Sequence, residues 1–150
     1  MGNTNNFFKE KKEWSKIKDT ILDWYLKPYL AKILKTGRHL LIIDCFAGKG
    51  IFDDGNHGSP LIIAKNIIER ETDKVTAFFI EKKYSNELKN NLNNYQFCRV
   101  VEGTYEDNIK KIRNLNSDQN LFLYIDPYGI KNLSYRYFKE ISEKGFYSIE

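Results

Sequence analysis

Three short stretches hold the residues whose types and spacing could do chemistry. In D-C-F-A-G-K-G (44–50) an acid closes the apolar run L-L-I-I, and Gly48 and Gly50 follow it. Glycines in that place remove side chains, so a cofactor can approach the backbone, while Asp44 organises the loop or meets a polar group of the ligand. The alternative is an ordinary glycine turn. Glu81 closes V-T-A-F-F-I-E (75–81), where an acid can accept hydrogen bonds from the two hydroxyls of a ribose. Its alternative is a solvated strand end followed by Lys82 and Lys83. In Asp126-Pro127-Tyr128-Gly129 the acid could accept hydrogen bonds from an amine. There Pro127 and Gly129 would shape a rigid loop, and Tyr128 would offer an aromatic face to a base. A plain D-P-x-G turn is the competing reading.

Other chemistries find less support in the residues. The dinucleotide pattern G-x-G-x-x-G needs a glycine at position 53, where this chain has Asp53, and the next helix starts only after G-N-H-G-S-P. A pyrophosphate on a helix N-terminus is therefore disfavoured, and Asp53 and Asp54 would repel it. Ser59 followed by Pro60 reads as a helix N-cap with proline at the first helical position. With two histidines, no H-E-x-x-H and no cysteine pair at metal-binding spacing, neither a nucleophile triad nor a metal cluster can be assembled. Cys45 and Cys98 lie far apart in apolar runs and read as reduced, buried thiols. A nuclease gathering Asp44, Glu81 and Asp126 around magnesium is a further alternative, although that ion usually takes substrate phosphates as well.

These residues need elements to position them, and the apolar periodicity supplies candidates. From Trp14 to Leu34 apolar positions recur at helical spacing, interrupted by Pro28, which predicts a kinked helix or two short ones. Residues 1–13 are polar and lysine-rich and are expected to be a flexible basic tail. The period then shortens. Runs at 39–47, 75–81, 97–103 and 121–127 are nearly continuous, rich in β-branched and aromatic residues, and predict strands buried on both faces. Helical patterns at 59–71, 85–94, 105–115 and 133–144 alternate with them. The expected fold is α/β, a Rossmann-like doubly wound and mainly parallel sheet over 37–150, preceded by a helical segment at 14–36. F-Y-S-I-E (146–150) reads as the opening of a fifth strand, after which the domain is expected to be incomplete. In such a sheet the strand ends bearing Asp44, Glu81, Glu102-Gly103 and Asp126 should face one crevice.

Composition sets the outer bounds. The 150 residues suit one domain, and 41% hydrophobic with 15% aromatic content suits a packed core. A net charge of +4, from 24 basic and 20 acidic residues, permits a nucleic-acid partner without demanding one. No run reaches the ~18 apolar residues of a membrane span, and the start is polar, so a cytoplasmic protein without membrane association is expected.

The strings I-D-C-F-A-G-K-G-I-F-D-D-G-N-H-G-S-P-L, F-F-I-E-K and L-Y-I-D-P-Y-G, in this order and spacing, resemble the three-Cys-motif partner family, from about Trp14 onward. That family looks like a branch of the class I S-adenosylmethionine-dependent methyltransferases. The resemblance implies S-adenosyl-L-methionine as cofactor, its methionine part held by Asp44, Ala47, Gly48 and Gly50 and its ribose by Glu81. Phe46, Lys82, Gly103 and Thr104 complete the candidate cofactor set, with Glu102, Thr104 and Glu106 competing to meet the adenine. Asp126, Pro127, Tyr128 and Gly129 would stand beside the transferred methyl, in a string similar to those of enzymes that methylate exocyclic amines of bases. The implied activity is methylation of an amine on a nucleic-acid base, in tRNA or DNA. The alternative is a non-catalytic subunit paired with a three-Cys-motif protein in a defence or mobile-element system.

Overall fold

The apolar runs become the strands of one sheet in the computed structural model, which describes residues 8–112, 118–127 and 133–150. Strands β1 (Leu40–Asp44), β2 (Val75–Glu81), β3 (Cys98–Glu102), β4 (Asn120–Tyr124) and β5 (Ser148–Ile149) pair in parallel throughout, in the order β3-β2-β1-β4-β5. Around them lie α1 (Glu13–Ile33), α2 (Ser59–Ile68), α3 (Ser85–Asn91), α4 (Tyr105–Ile112) and α5 (Tyr135–Ser142). All five residues of β1 are buried, because alternate side chains enter separate cores. Leu40 and Ile42 join Leu26, Leu30, Ile63, Ile67 and Leu88 of α1, α2 and α3. Leu41 and Ile43 join Tyr105, Ile109 and Ile141 of α4 and α5 on the opposite face. The result is the expected Rossmann-like α/β architecture, helices covering both faces of a parallel sheet.

Strand order reverses beside β1, which has β2 on one side and β4 on the other. The backbone straddles that point: the Cys45 amide donates to the Tyr124 carbonyl of β4 at 2.9 Å, and the Ala47 amide to the Ile80 carbonyl of β2 at 3.1 Å. A ligand crevice in an open α/β sheet forms where the order reverses.

Several expectations change. Of the two alternatives one helix forms rather than two, and α1 runs unbroken through Pro28. An interior proline costs about 3 kcal/mol. Leu22, Leu26 and Leu30, spaced four apart and buried, each return about 1.5–3 kcal/mol, which is enough to carry the helix across the missing hydrogen bond. The apolar residues Trp14, Ile17, Ile21, Trp24 and Tyr25 form a second row of the same helix and are exposed. Ser59 is the first residue of α2 and Gly58 its N-cap; the serine hydroxyl is used elsewhere, as described below. β4 ends at Tyr124, so Asp126 stands two residues beyond the strand. The described part of the basic tail makes contacts with the domain. Phe8 is 7% exposed and packs on Phe52 and Tyr84, its carbonyl accepts from the Asp53 amide at 2.8 Å, and the Lys11 amide donates to Asp54 at 2.9 Å. Among the described residues no helix is long and apolar enough to cross a membrane.

Candidate functional site

Asp44 ends β1 entirely buried, beneath the glycine loop rather than in it. The Ser59 hydroxyl donates to its Oδ2 at 2.6 Å and the Phe46 amide to its Oδ1 at 3.1 Å, so the carboxyl ties α2 to the start of the loop. Burial raises its pKa to about 7; these two hydrogen bonds oppose the rise, and the charges of Asp126 and Asp19 add to it. Of the two roles considered for this acid, organising the loop is the one its contacts display.

The loop itself is shaped by glycine at two positions for different reasons. Gly48 has φ +68, and a Cβ there would lie 3.3 Å from the Phe8 ring. Gly50 has φ +85, and a Cβ would meet Leu61 at 2.8 Å and Leu88 at 2.9 Å. The space that Gly50 leaves open is filled by core leucines, so its small size serves helix packing against the loop. Asn91 closes the turn from α3, donating to the Lys49 carbonyl at 2.7 Å.

Glu81 fastens the same loop from β2. Its Oε2 accepts from the Gly48 amide at 2.7 Å, and its Oε1 from the Lys83 and Tyr84 amides at 2.8 and 3.1 Å. A carboxylate offers about four acceptor sites. Three are engaged among the described residues, so the side chain anchors backbone.

Two cavities flank the loop. The larger, about 300 Å³, is lined by Phe46, Ala47, Gly48 and Gly50, by Asp126 and Pro127 across the switch point, and by Trp14, Lys18 and Asp19 of α1. The smaller, about 210 Å³, is lined by Phe46, Glu81, Lys82, Gly103, Thr104 and Glu106. Phe46 is the wall shared by both. Of the predicted site residues that are described, Asp44 and Glu102 line neither, and Asp44 acts from below through Ser59. Tyr128 and Gly129 lie outside the described residues. Of the three acids and hydroxyls competing at the end of β3, Thr104 and Glu106 reach the smaller cavity while Glu102 is not on its wall. The Thr104 hydroxyl is engaged with Asp107 at 2.7 Å and accepts from its amide at 3.2 Å, capping the start of α4.

Asp126 has a partner that its neighbours in sequence do not announce. The Lys18 ammonium pairs with its Oδ2, and the same ammonium lies 3.9 Å from the centre of the Trp14 ring. Next to them the Lys11 ammonium, 6% exposed, pairs with Asp19, whose carboxyl burial raises above the usual range. Trp14, Lys18 and Asp19 were missed by sequence reasoning. The i, i+4 spacing of Trp14 and Lys18 was legible, but nothing local ties Lys18 to an acid 108 positions away. The two cysteines are free thiols, and among the described residues no group of three or more histidines, cysteines or acids could hold a metal ion.

Comparison with family models, with curated proteins and with solved structures gave no match for this chain.

Proposed function

We propose that the chain is a class I methyltransferase-like protein that binds S-adenosyl-L-methionine and acts on an amine of a nucleic-acid base. One observation carries this reading: the glycine loop and Asp126-Pro127 face each other across one cavity at the switch point, with a second cavity continuing past Phe46 to Glu81 and Thr104. Together the cavities fall in the range of about 300–1,000 Å³ typical of small-molecule sites. A two-part ligand, amino acid at one end and nucleoside at the other, suits two chambers that share a wall. The string resemblance to three-Cys-motif partner proteins points the same way.

In this reading the backbone at Ala47 and Gly48 lines the chamber for the amino-acid part, and Glu81 and Thr104 border the one for the nucleoside. The cofactor, when bound, supplies an activated methyl for in-line displacement. The chain's own contribution is positioning, which alone can provide much of a rate enhancement. Asp126 accepts a hydrogen bond from the acceptor amine and orients its lone pair. A base buried in a helix cannot reach Asp126, so the acceptor must be unpaired or flipped. Lys18 has to leave Asp126 before the amine arrives. Methyl-labelled cofactor incubated with tRNA or denatured DNA should label the nucleic acid, and Asp126→Ala should lower incorporation at least about a hundredfold. Absence of labelling by the unaltered chain, with the cofactor bound, would contradict catalysis.

The second reading, a subunit acting through contacts with a three-Cys-motif protein, is favoured by the exposed row Ile17, Ile21 and Trp24 on α1. It predicts that Trp24→Ser abolishes co-purification with that protein and leaves cofactor binding intact.

A further inference from the structure

The Lys18 ammonium is bound twice over, by the Asp126 carboxylate and by the face of Trp14. Its position therefore marks a point that is at once within hydrogen-bond reach of Asp126 and 3.9 Å from the centre of an indole ring. A planar base laid on that indole would place an exocyclic amine at this point. Trp14 is 54% exposed while lining the larger cavity, so its ring is open to such a partner. We propose that Trp14 is the stacking platform for an unpaired base, and that Lys18 is a stand-in for the base amine that moves aside to the phosphate when a nucleic acid binds. This inference rests on the reading of Asp126 as the acceptor side of the site.

Three features favour a base over a lysine side chain as the occupant. A second ammonium would exchange for Lys18 with no gain in chemistry, whereas a planar ring adds stacking that an ammonium cannot supply. A displaced Lys18 is a cation at the cavity rim, suited to the phosphate that accompanies every flipped nucleotide. Phe8, Phe46 and Phe52 also line the cavity, an aromatic surround that a base can share.

The test uses the full chain carrying Trp24→Phe, which leaves Trp14 as its single tryptophan and alters a side chain that is 71% exposed. Single-stranded DNA and RNA oligonucleotides of mixed sequence are titrated separately, each beside an abasic oligonucleotide of the same length. Quenching of Trp14 by base-bearing strands and not by abasic ones supports the platform, and the strand that quenches more strongly identifies the sugar class. Binding measured by anisotropy of labelled strands should weaken about tenfold in Trp14→Ala and recover in Trp14→Phe. In Lys18→Met the salt dependence of oligonucleotide binding should drop by about one ion, while free guanosine or adenosine binds more tightly because the amine point is open. Equal binding of abasic strands, or binding of a lysine-rich peptide in place of oligonucleotides, overturns the proposal. Calorimetry with S-adenosylmethionine on Trp14→Ala separates this inference from the cofactor reading. Retained cofactor binding with weakened oligonucleotide binding supports the platform. Loss of both overturns the assignment of Trp14 to the acceptor, and oligonucleotide binding unaffected by Trp14→Ala overturns the platform while the cofactor reading stands.

Discussion

Asp44 carries its carboxyl at the bottom of the site, where ionisation is opposed by burial and its pKa is raised to about 7. In the unfolded chain the same group titrates near 3.8. Because the folded value is the higher one, its contribution to stability is complete below about pH 4 and is lost as pH rises through about 7. Ionising it in place costs up to about 4 kcal/mol. The urea midpoint should therefore fall between pH 4 and pH 8, and Asp44→Asn should remove most of that slope; equal slopes in the two proteins would contradict the assignment. Glu81 makes a different prediction, since three amides converge on its two oxygens. Glu81→Gln replaces one acceptor oxygen with a donor and should destabilise the fold by about 1–3 kcal/mol in chemical denaturation, before any effect on a ligand is considered. Gly50 and Gly55 complete the comparison, both at positive φ, +85 and +82. A Cβ on Gly55 meets nothing, whereas one on Gly50 meets two leucines, so Gly50→Ala should cost about 1–3 kcal/mol more than Gly55→Ala.

At the scale of elements, α1 and the glycine loop show what was legible in the sequence and what was not. The strands and the helices that follow them could be read because their apolar runs are local and their periods differ. Strand ends were less legible: the apolar run continues past Tyr124 to Ile125, although the ladder with β1 stops at Asp44 opposite Tyr124. The unbroken passage of α1 through Pro28 depends on burial of Leu26 and Leu30 against the sheet, which no local pattern records. Pro28 faces outward, so Pro28→Ala should restore the missing hydrogen bond without disturbing the core and stabilise the protein by about 1–3 kcal/mol, read as a raised Tm. The site was half legible for the same reason. Glycines and strand-end acids announce themselves, but Trp14, Lys18 and Phe8 reach the site only through the docking of α1 and the segment before it. The sequence offers Glu81 as a ligand acceptor, whereas the contact the structure shows is an anchor for the Gly48 amide, a bond between residues 33 apart that spacing cannot reveal.

For the whole molecule, the order β3-β2-β1-β4-β5 brings the ends of β1, β2, β3 and β4 together from four separate segments of chain, and the two cavities are the consequence. The measurement that bears most directly on the account is calorimetric titration of the full chain with S-adenosylmethionine, with S-adenosylhomocysteine as competitor. One site per chain is predicted, with competition between the two ligands and loss of binding when Ala47→Trp fills the wall of the larger cavity in a protein that stays folded. A folded, unaltered chain that binds neither ligand would contradict the cofactor reading and leave the cavities to another occupant.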